Sequence, residues 1–337
     1  MKSKEVIEEF NKHIMPTYGR FDVLIEEGKE RKCKDIDGNS YIDFGSGIGT
    51  NSLGYCDDRW VDMVCSQVAK MQHTSNYYYT KIQANFASKL CEMTDYSKIF
   101  FANSGAEANE CAIKLARKYS FDKYGKNRHK ILTLVNSFHG RTLCTLSATG
   151  QDSFHNYFFP FVEGFEYVVA NDIEDLKSKI DDSICAIMFE FIQGEGGVIS
   201  LNQDFIDEIF NIAKQKDILT IADEVQTGMG RTGEVLASQH FKVKANITTL
   251  AKGLAGGLPI GVCLADEKCA DVLGKSTHGS TFGGNPISCA GGLAVLERLQ
   301  KDGFLDEIKQ KAKYFKKELE KIEEIDSIDG KGLMIGA

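Results

Sequence analysis

The sequence predicts an α/β fold built on a mostly parallel sheet. Short, continuous apolar runs recur between residues 98 and 222, and helix-like segments separate them. Strands covered by helices on both faces read as continuous apolar runs, whereas half-exposed strands alternate. The chain shows no repeat and has only four prolines, so no Pro-rich linker divides it. The runs are Lys98–Ala102, Ile131–Val135, Cys185–Phe189 and Ile218–Ala222.

Segments of different character flank this central region. Up to about Gly54 the chain reads as short strands and turns, and Asp37-Gly38-Asn39 is a typical hairpin turn. From Pro286 to Glu323 the apolar residues recur with helical spacing. We therefore expect a β-rich start, an alternating α/β body and a helical end.

Composition narrows the functional class. The 337 residues carry a formal net charge of −8 and no long basic block, which argues against a nucleic-acid surface. No apolar stretch approaches the roughly 18 residues of a membrane span. The charged start of the chain lacks the apolar core of a signal peptide. Ten scattered cysteines without a C-x-x-C pair fit reduced thiols rather than disulfides or a zinc site, so we expect a cytoplasmic protein.

A lysine and an aspartate end two strand-like apolar runs. Asp223 follows Ile218–Ala222, and Lys252 follows Thr248–Ala251. A pyridoxal phosphate site needs both groups, because a lysine amine forms the Schiff base and a carboxylate keeps the pyridine nitrogen protonated. Either residue alone would be an ordinary charge. The pair predicts such a site because a candidate phosphate cradle and a candidate stacking residue also follow strand-like runs.

The segment Asn103–Glu107 is the candidate phosphate cradle. Ser104 and Glu107 form a capping-box pattern directly after the first apolar run. Free backbone N–H groups at such a helix start bind phosphate. A well-capped helix that binds nothing has the same pattern, so this segment alone leaves both interpretations open. The expected buried face of the helix consists of Ala108, Cys111, Ala112, Leu115 and Tyr119.

The segment Ser137–Thr142 follows the second apolar run. Phe138 could lie flat on an aromatic cofactor, and Arg141 offers a fork that matches a carboxylate. A core phenylalanine and a surface arginine are the alternative. His139 stays unassigned, because a single histidine more often packs or donates a hydrogen bond than acts as a base.

Two later segments have the composition of ligand-contacting loops. Glycines flank a carboxylate in Gln193–Gly197, and hydroxyl groups stand in the flexible loop His278–Pro286. Glycine allows a close approach between ligand and backbone, and hydroxyls suit phosphate or carboxylate. A plain turn and a plain loop fit these two segments almost as well.

Two glycine patterns resemble nucleotide-binding motifs without their context. Gly228–Gly233 has the G-x-G-x-x-G spacing, but it does not directly follow a strand end and no clear helix opens at Gly233. Gly274-Lys275-Ser276 resembles the end of a P-loop, but Cys269 stands where the first glycine is required. We therefore reject a nicotinamide-dependent dehydrogenase and a P-loop enzyme.

Taken in order, the motifs resemble those of the class III pyridoxal-phosphate-dependent aminotransferases. The resemblance extends from Met15–Arg20, through Ser46–Ile48 and Asn51–Gly54, to Gly332–Gly336, and so covers nearly the whole chain. It implies a type I, aspartate-aminotransferase-like fold, in which a large domain carries the mostly parallel sheet and a smaller domain accompanies it. The implied parts are residues 1–54, an N-terminal segment of the small domain, residues 55–285, the cofactor-binding domain, and residues 286–337, the start of the C-terminal small domain.

The resemblance also implies roles in the cofactor site. Lys252 would carry the Schiff base and Asp223 would pair with the pyridinium nitrogen, which makes both residues catalytic. Gly105, Ala106 and, across a dimer interface, Thr281 would hold the phosphate. The other implied cofactor contacts are Phe138 on the ring face and Glu224, Val225 and Gln226 around the ring.

Substrate contacts are implied for three further residues. Arg141 would bind a substrate carboxylate, and Ser280 would help position the substrate. Glu195 matches a glutamate that pairs with an arginine when ornithine-type donors bind and releases it for glutamate. The similarity is closest to the branch that transfers the δ-amino group of N-acetylornithine to 2-oxoglutarate, giving N-acetylglutamate 5-semialdehyde and glutamate in arginine biosynthesis. A homodimer with composite active sites is expected.

Two alternatives stay open. The amino donor could instead be ornithine, succinylornithine, 4-aminobutyrate or a lysine-pathway analogue. Members of the resembled family also continue for several tens of residues beyond the position of Ala337, where they supply the arginine that partners the residue matching Glu195. A fragment, or a truncated homologue that binds the cofactor without turnover, is therefore the non-enzymatic alternative.

Overall fold

The structure, a computed structural model, describes residues 3–337 as an α/β protein. Most strands of its largest sheet are buried and apolar, as in β7, where all six residues are buried. The strands are β1 (Ile25–Lys29), β2 (Lys32–Asp35), β3 (Ser40–Ile42), β4 (Lys98–Ala102), β5 (Lys130–Leu134), β6 (Phe165–Val168), β7 (Ile184–Phe189), β8 (Ile192–Gln193), β9 (Ile199–Ser200), β10 (Leu219–Asp223), β11 (Ile247–Leu250), β12 (Gly261–Ala265), β13 (Asp329–Lys331) and β14 (Met334–Gly336).

Helices alternate with these strands through the middle of the chain. Side chains cap many of their N-termini, as Asn202 does for the helix that precedes β10. The helices are α1 (Ser3–His13), α2 (Ser46–Gly49), α3 (Asp58–Val68), α4 (Lys81–Thr94), α5 (Gly105–Tyr124), α6 (Leu143–Ala148), α7 (Ile173–Ser178), α8 (Gln203–Lys216), α9 (Ser238–Phe241), α10 (Pro286–Leu299) and α11 (Phe304–Leu319), with 3₁₀ helices at Asp152–Phe154 and Lys252–Ala255.

Seven strands form the central sheet in the order β4-β12-β11-β10-β7-β5-β6. Neighbouring strands pair in parallel except around β12, which runs antiparallel to both β11 and β4. The prediction of a mostly parallel sheet is therefore confirmed. The register places Asp223 of β10 opposite Thr249 of β11, so both of these strands end at the same edge of the sheet.

Helices cover both faces of this sheet. On one face α5 packs Ala112 and Leu115 against strand residues such as Ile131 and Ile221. On the other face α8 packs Phe205 and other apolar residues against neighbouring positions of the same strands, such as Leu132 and Ala222. Successive strand residues point to opposite faces, so a strand covered on both sides must be apolar throughout.

The four apolar runs form β4, β5, β7 and β10 with boundaries within one residue of those predicted. The helical end was predicted as one pattern, and the structure divides it into α10 and α11. Gly303 lies between them as the N-cap residue of α11 and has a φ of 76°, a left-handed conformation that glycine adopts without strain. The antiparallel strand β12 had no predicted counterpart.

Smaller elements surround the central sheet. The predicted hairpin at Asp37-Gly38-Asn39 is confirmed, because it connects the antiparallel strands β2 and β3. The chain's last strands, β13 and β14, also form an antiparallel hairpin, and Ser200 of β9 lies against it through the Asp329 carboxylate. All ten cysteines are free thiols. No helix within residues 3–337 is long and apolar enough to cross a membrane. The three-part division of the chain stays a prediction.

Candidate active site

A cavity of about 400 Å³ lies at the carboxyl edge of the central sheet. Ligands of open α/β sheets bind at this edge, because the loops after several parallel strands meet there. Residues after five different strands contribute to its wall. They are Asn103–Ala106 after β4, Phe138–Arg141 after β5, Glu190 after β7, Asp223, Val225 and Gln226 at β10, and Ala251 and Lys252 after β11.

Asp223 lies on this wall with only 4% of its surface exposed. One carboxylate oxygen, Oδ2, accepts hydrogen bonds from Asn109 Nδ2 and pairs with His139 Nδ1, each at 2.8 Å. The other, Oδ1, accepts the Val225 N–H at 3.0 Å. Asn109 is held in turn by Thr249 Oγ1, which donates to its side-chain oxygen at 2.7 Å. The carboxylate is therefore fixed in orientation by three direct partners, one of which Thr249 holds in place.

Lys252 begins the 3₁₀ helix that follows β11 and has a φ of 40°. A left-handed conformation is uncommon for a residue with a side chain, and such residues concentrate at functional sites. The following residue is also anchored, because Ser52 Oγ donates a 2.8 Å hydrogen bond to the Gly253 carbonyl. The lysine thus projects from a short, fixed turn into the cavity that Asp223 lines.

The start of α5 forms another part of the wall. Ser104 Oγ accepts the Glu107 N–H at 3.2 Å, which is the first half of the predicted capping box. The second half is shifted by one residue, because the Glu107 carboxylate accepts the backbone N–H of Asn103 at 2.6 Å. A Cβ at position 105 would lie 2.8 Å from Val225 Cγ1, so glycine is needed for this close approach. The predicted buried face of α5 is confirmed, with Tyr119 partly buried at its edge.

Phe138 and Arg141 stand together on the β5 side of the cavity. The Arg141 guanidinium lies 4.0 Å from the ring centre of Phe154 and 5.5 Å from that of Phe138. Stacking of this kind orients the planar guanidinium and stabilises its charge. Phe154, from the 3₁₀ helix after α6, is a contributor that the sequence did not reveal.

Glu190 is a second buried carboxylate in the cavity and was not predicted. Its Oε2 accepts the Phe138 N–H at 3.0 Å. Burial raises the pKa of Glu190 to about 7, and the nearby Asp223 carboxylate acts in the same direction, whereas His139 opposes the shift. Burial lowers the pKa of His139, but the hydrogen bond and charge of Asp223 outweigh this effect and raise it. The imidazole therefore bonds to the Asp223 carboxylate and interacts with the Glu190 carboxylate through its charge.

Four predicted site residues lie outside this wall. The Glu224 carboxylate turns away from it and accepts the N–H groups of Ala237 at 2.5 Å and Ser238 at 3.0 Å. Burial raises its pKa to about 6. Glu195 is exposed in the turn between β8 and β9. Ser280 Oγ accepts from Asn103 Nδ2 at 3.2 Å, next to the wall, whereas Thr281 is exposed.

The residues present fit pyridoxal phosphate. One cavity brings together the groups that this cofactor needs. They are the fixed Asp223 carboxylate, the Lys252 amine, the Phe138 ring and the N-terminus of α5. Phosphate suits the N–H groups and the dipole at the start of a 20-residue helix such as α5. The volume of about 400 Å³ is within the range of ligand cavities, about 300 to 1,000 Å³.

Comparison with known proteins agrees with this geometry. Residues 14–337 match the family described as aminotransferase class-III. The chain is 52% identical over 325 residues to the acetylornithine aminotransferase of Haemophilus ducreyi, covering 96% of this chain and 82% of that protein. It is 44% identical over 344 residues to the acetylornithine aminotransferase of Methanocaldococcus jannaschii, covering 100% and 86%.

Solved structures show the same similarity. The ornithine aminotransferase of Toxoplasma gondii superposes with a TM-score of 0.94 at 31% identity, over 98% of this chain and 81% of that one. The acetylornithine aminotransferase of Elizabethkingia anophelis superposes with a TM-score of 0.84 at 32% identity, over 98% and 82%.

Proposed function

The chain belongs to the class III aminotransferases, which depend on pyridoxal phosphate, and we propose that it uses N-acetylornithine as its amino donor. The reaction transfers the δ-amino group to 2-oxoglutarate and gives N-acetylglutamate 5-semialdehyde and glutamate, a step of arginine biosynthesis. Relatives at 52%, 47% and 44% identity that carry the name acetylornithine aminotransferase support this donor.

One observation carries the enzymatic assignment. Asp223 ends β10, Lys252 follows the adjacent parallel strand β11, and both residues line a single cavity with the start of α5. When bound, pyridoxal phosphate supplies an electron-accepting ring and a carbonyl group that takes up the amino group. Asp223 would hold the ring nitrogen in its protonated form, and His139 and Asn109 keep its carboxylate oriented.

Lys252 is the proposed general base. Its amine Nζ would take the proton from the δ-carbon of the substrate and hold it until it is transferred onward. The short turn that begins at Lys252 limits the positions that this amine can reach. The buried surroundings of Asp223 and Glu190 keep water away from this part of the cavity.

Arg141 is the proposed anchor for the donor. N-acetylornithine reacts at its δ-carbon, so its carboxylate must be held at the far end of the molecule. A guanidinium can bind a carboxylate with two parallel hydrogen bonds. Arg141 is exposed at the cavity and stacked on Phe154, so it offers both the charge and a fixed plane. Ser280 and Glu195 are the further substrate contacts in this proposal.

We also propose a homodimer in which Thr281 reaches the partner's phosphate site. Thr281 is exposed and does not line the cavity of its own chain. Beside it, Asn76 Nδ2 donates to the carbonyls of Ser280 and Gly283, each at 3.0 Å, and the next three residues are the exposed tyrosines 77–79. Exposed aromatic side chains next to an incomplete site suit an interface between copies.

Complementation tests the composite site. Lys252→Ala chains would be inactive and Thr281→Ala chains would bind the cofactor more weakly, whereas mixing them would assemble one site that has both native residues. At limiting cofactor, amino transfer by the mixture above that of either variant alone supports the proposal, and hybrid dimers that are no more active than Thr281→Ala dimers contradict it. We also propose a cytoplasmic location, which the ten free cysteines support.

A related donor is the second candidate. The high TM-score with the ornithine aminotransferase of Toxoplasma gondii favours ornithine as the competitor. Measuring kcat/KM for N-acetylornithine, ornithine, succinylornithine and 4-aminobutyrate decides between them. The proposal requires the highest value for N-acetylornithine. Binding of the cofactor without turnover on any of the four donors would instead favour a non-catalytic homologue.

A further inference from the structure

A second cavity, of about 390 Å³, lies behind the turn that carries Lys252. The glycine pattern that resembles a dinucleotide motif, Gly228–Gly233, supplies part of its wall. Met229, Gly230 and Gly233 all have positive φ, and Met229 N–H donates to the Val235 carbonyl at 2.8 Å, so this segment is a closed loop rather than a helix start. The motif therefore shapes a cavity that the proposed reaction does not use.

Arg231 lines this second cavity from the loop. Its backbone is fixed, because its carbonyl accepts the Leu333 N–H at 2.9 Å. Its partly buried guanidinium makes no hydrogen bond or ion pair with any residue of the range 3–337. Burial alone acts on this group and lowers the pKa of Arg231. Burying a charge without a partner costs free energy. An unpaired, partly buried guanidinium therefore favours the binding of an anion.

The other charges around the second cavity already have partners. Arg31 lies 3.7 Å from Glu30, and both are exposed. Lys311 pairs with Glu307 at 2.7 Å on the surface of α11. The Asp43 carboxylate accepts the N–H groups of two following residues, each at 2.8 Å. Among the cations that line this cavity, Arg231 is thus the one that is available to bind an anion.

Part of the wall is apolar. Leu299 of α10, Phe304 and Ile308 of α11, and Met229 of the loop line the cavity together. An inorganic anion would gain nothing from these side chains, whereas the body of an organic acid would bury its apolar surface against them. The Arg231 charge and the apolar side chains together select organic acids as the class of ligand.

We propose that this second cavity binds a small organic carboxylate, with its carboxylate on the Arg231 guanidinium and its apolar body against α10 and α11. The site is separate from the catalytic cavity but adjoins it. Gln226 lines both cavities, and Gly253, the residue after Lys252, lines the second. A bound carboxylate would therefore contact the segments that position the proposed base.

Calorimetric titration with hexanoate tests this site. The titrations use the cofactor-loaded protein with Arg141→Met, so that the first cavity offers no guanidinium to the probe. Hexanoate is expected to bind this protein with a millimolar Kd, and hexanamide, which has the same shape without the charge, about tenfold more weakly. Adding Arg231→Met should weaken hexanoate about tenfold, because the side-chain length is kept while the charge is removed.

Arg31→Met is the matched control, because it removes an exposed cation of the same cavity rim that already has a partner. It should change the Kd for hexanoate less than about twofold. Equal binding with and without Arg231, or no hexanoate binding at all, would overturn the site. Should Arg231→Met fail to fold, as judged by thermal melting, Ile308→Trp fills the cavity from α11. Hexanoate binding that survives this change would also overturn the site.

Discussion

Asp223 and His139 form a buried pair, with the carboxylate oxygen Oδ2 2.8 Å from the imidazole Nδ1. His139 belongs to the loop after β5 and Asp223 to the end of β10, so the pair joins two strand ends across the cavity wall. The same oxygen accepts the Asn109 amide, and Glu190 lies close enough to influence both groups electrostatically. These polar contacts orient one carboxylate towards the cavity.

Asp223→Asn should reduce amino transfer at least about a hundredfold, because the substitution removes the charge that faces the proposed cofactor nitrogen while keeping the shape. Glu224→Gln is the matched control, a neighbouring buried carboxylate that bonds to Ala237 and Ser238 instead. Steady-state kcat and the cofactor Kd of both variants check this. A similar loss in both would mean that Glu224 also serves the cofactor, as the family resemblance implies.

Glu190→Gln should change how stability depends on pH. With a pKa of about 7 in the folded protein against 4.5 for the free group, folded Glu190 keeps a proton that the unfolded chain has released. The free energy of unfolding therefore falls as pH rises through this window, by at most about 1.4 kcal/mol per pH unit for one proton. The raised pKa of His139 acts in the same direction.

Urea unfolding of wild type and Glu190→Gln at several pH values between 5 and 8 measures the effect. The variant should gain stability relative to wild type as pH rises, because glutamine cannot ionise yet still accepts the Phe138 N–H. Glu195→Gln, an exposed position, should show no such trend. A wild-type-to-variant difference that stays constant across pH would show that Glu190 does not titrate in this window.

Gly105→Ala should weaken cofactor binding about tenfold. The added methyl group would lie 2.8 Å from Val225 Cγ1, so either the start of α5 or the Val225 side chain must move, and both line the cavity. Gly274→Ala is the control, because a Cβ there meets nothing within 4 Å. Fluorescence titration of the cofactor-free proteins gives both Kd values. Equal affinities would show that the start of α5 does not belong to the phosphate site.

Phe154→Leu should raise KM for N-acetylornithine about three- to tenfold with little change in kcat, because it removes the aromatic face that lies 4.0 Å from the Arg141 guanidinium. Arg141→Met should have a larger effect of the same kind, about ten- to a hundredfold in KM. Phe121→Leu, on the exposed surface of α5, is the control. A KM unchanged by both cavity substitutions would mean that the donor carboxylate binds elsewhere.

Much of the fold was accessible from the sequence, because strands buried on both faces must be apolar throughout. The apolar runs located β4, β5, β7 and β10 to within one residue. Gly105, Phe138 and Lys252 follow β4, β5 and β11 and line one cavity wall, because parallel strands end at the same edge of the sheet. Order along the chain was enough to predict this convergence.

The remaining features depend on tertiary contacts that no local pattern encodes. Glu190 directly follows a buried strand, a position where a polar residue does not stand out in the sequence. Only the fold places it near His139 and the Phe138 backbone. Adjacent carboxylates at 223 and 224 look equivalent in sequence, yet successive positions point to opposite sides. Phe154 stacks on Arg141 although the two residues belong to separate segments, so their spacing in the sequence does not predict the contact.

The central claim is that Lys252 and the cavity around it transfer an amino group from N-acetylornithine. The most direct measurement is a single-turnover visible spectrum of the protein loaded with pyridoxal phosphate and mixed with this donor. Wild type should lose the absorption band of the lysine-bound cofactor as the aminated cofactor forms. Lys252→Ala should bind the cofactor but show no conversion, whereas Lys275→Ala, in an exposed loop, should behave as wild type. Conversion by Lys252→Ala at a near wild-type rate, or a wild-type chain that never shows the lysine-bound band, would contradict the claim.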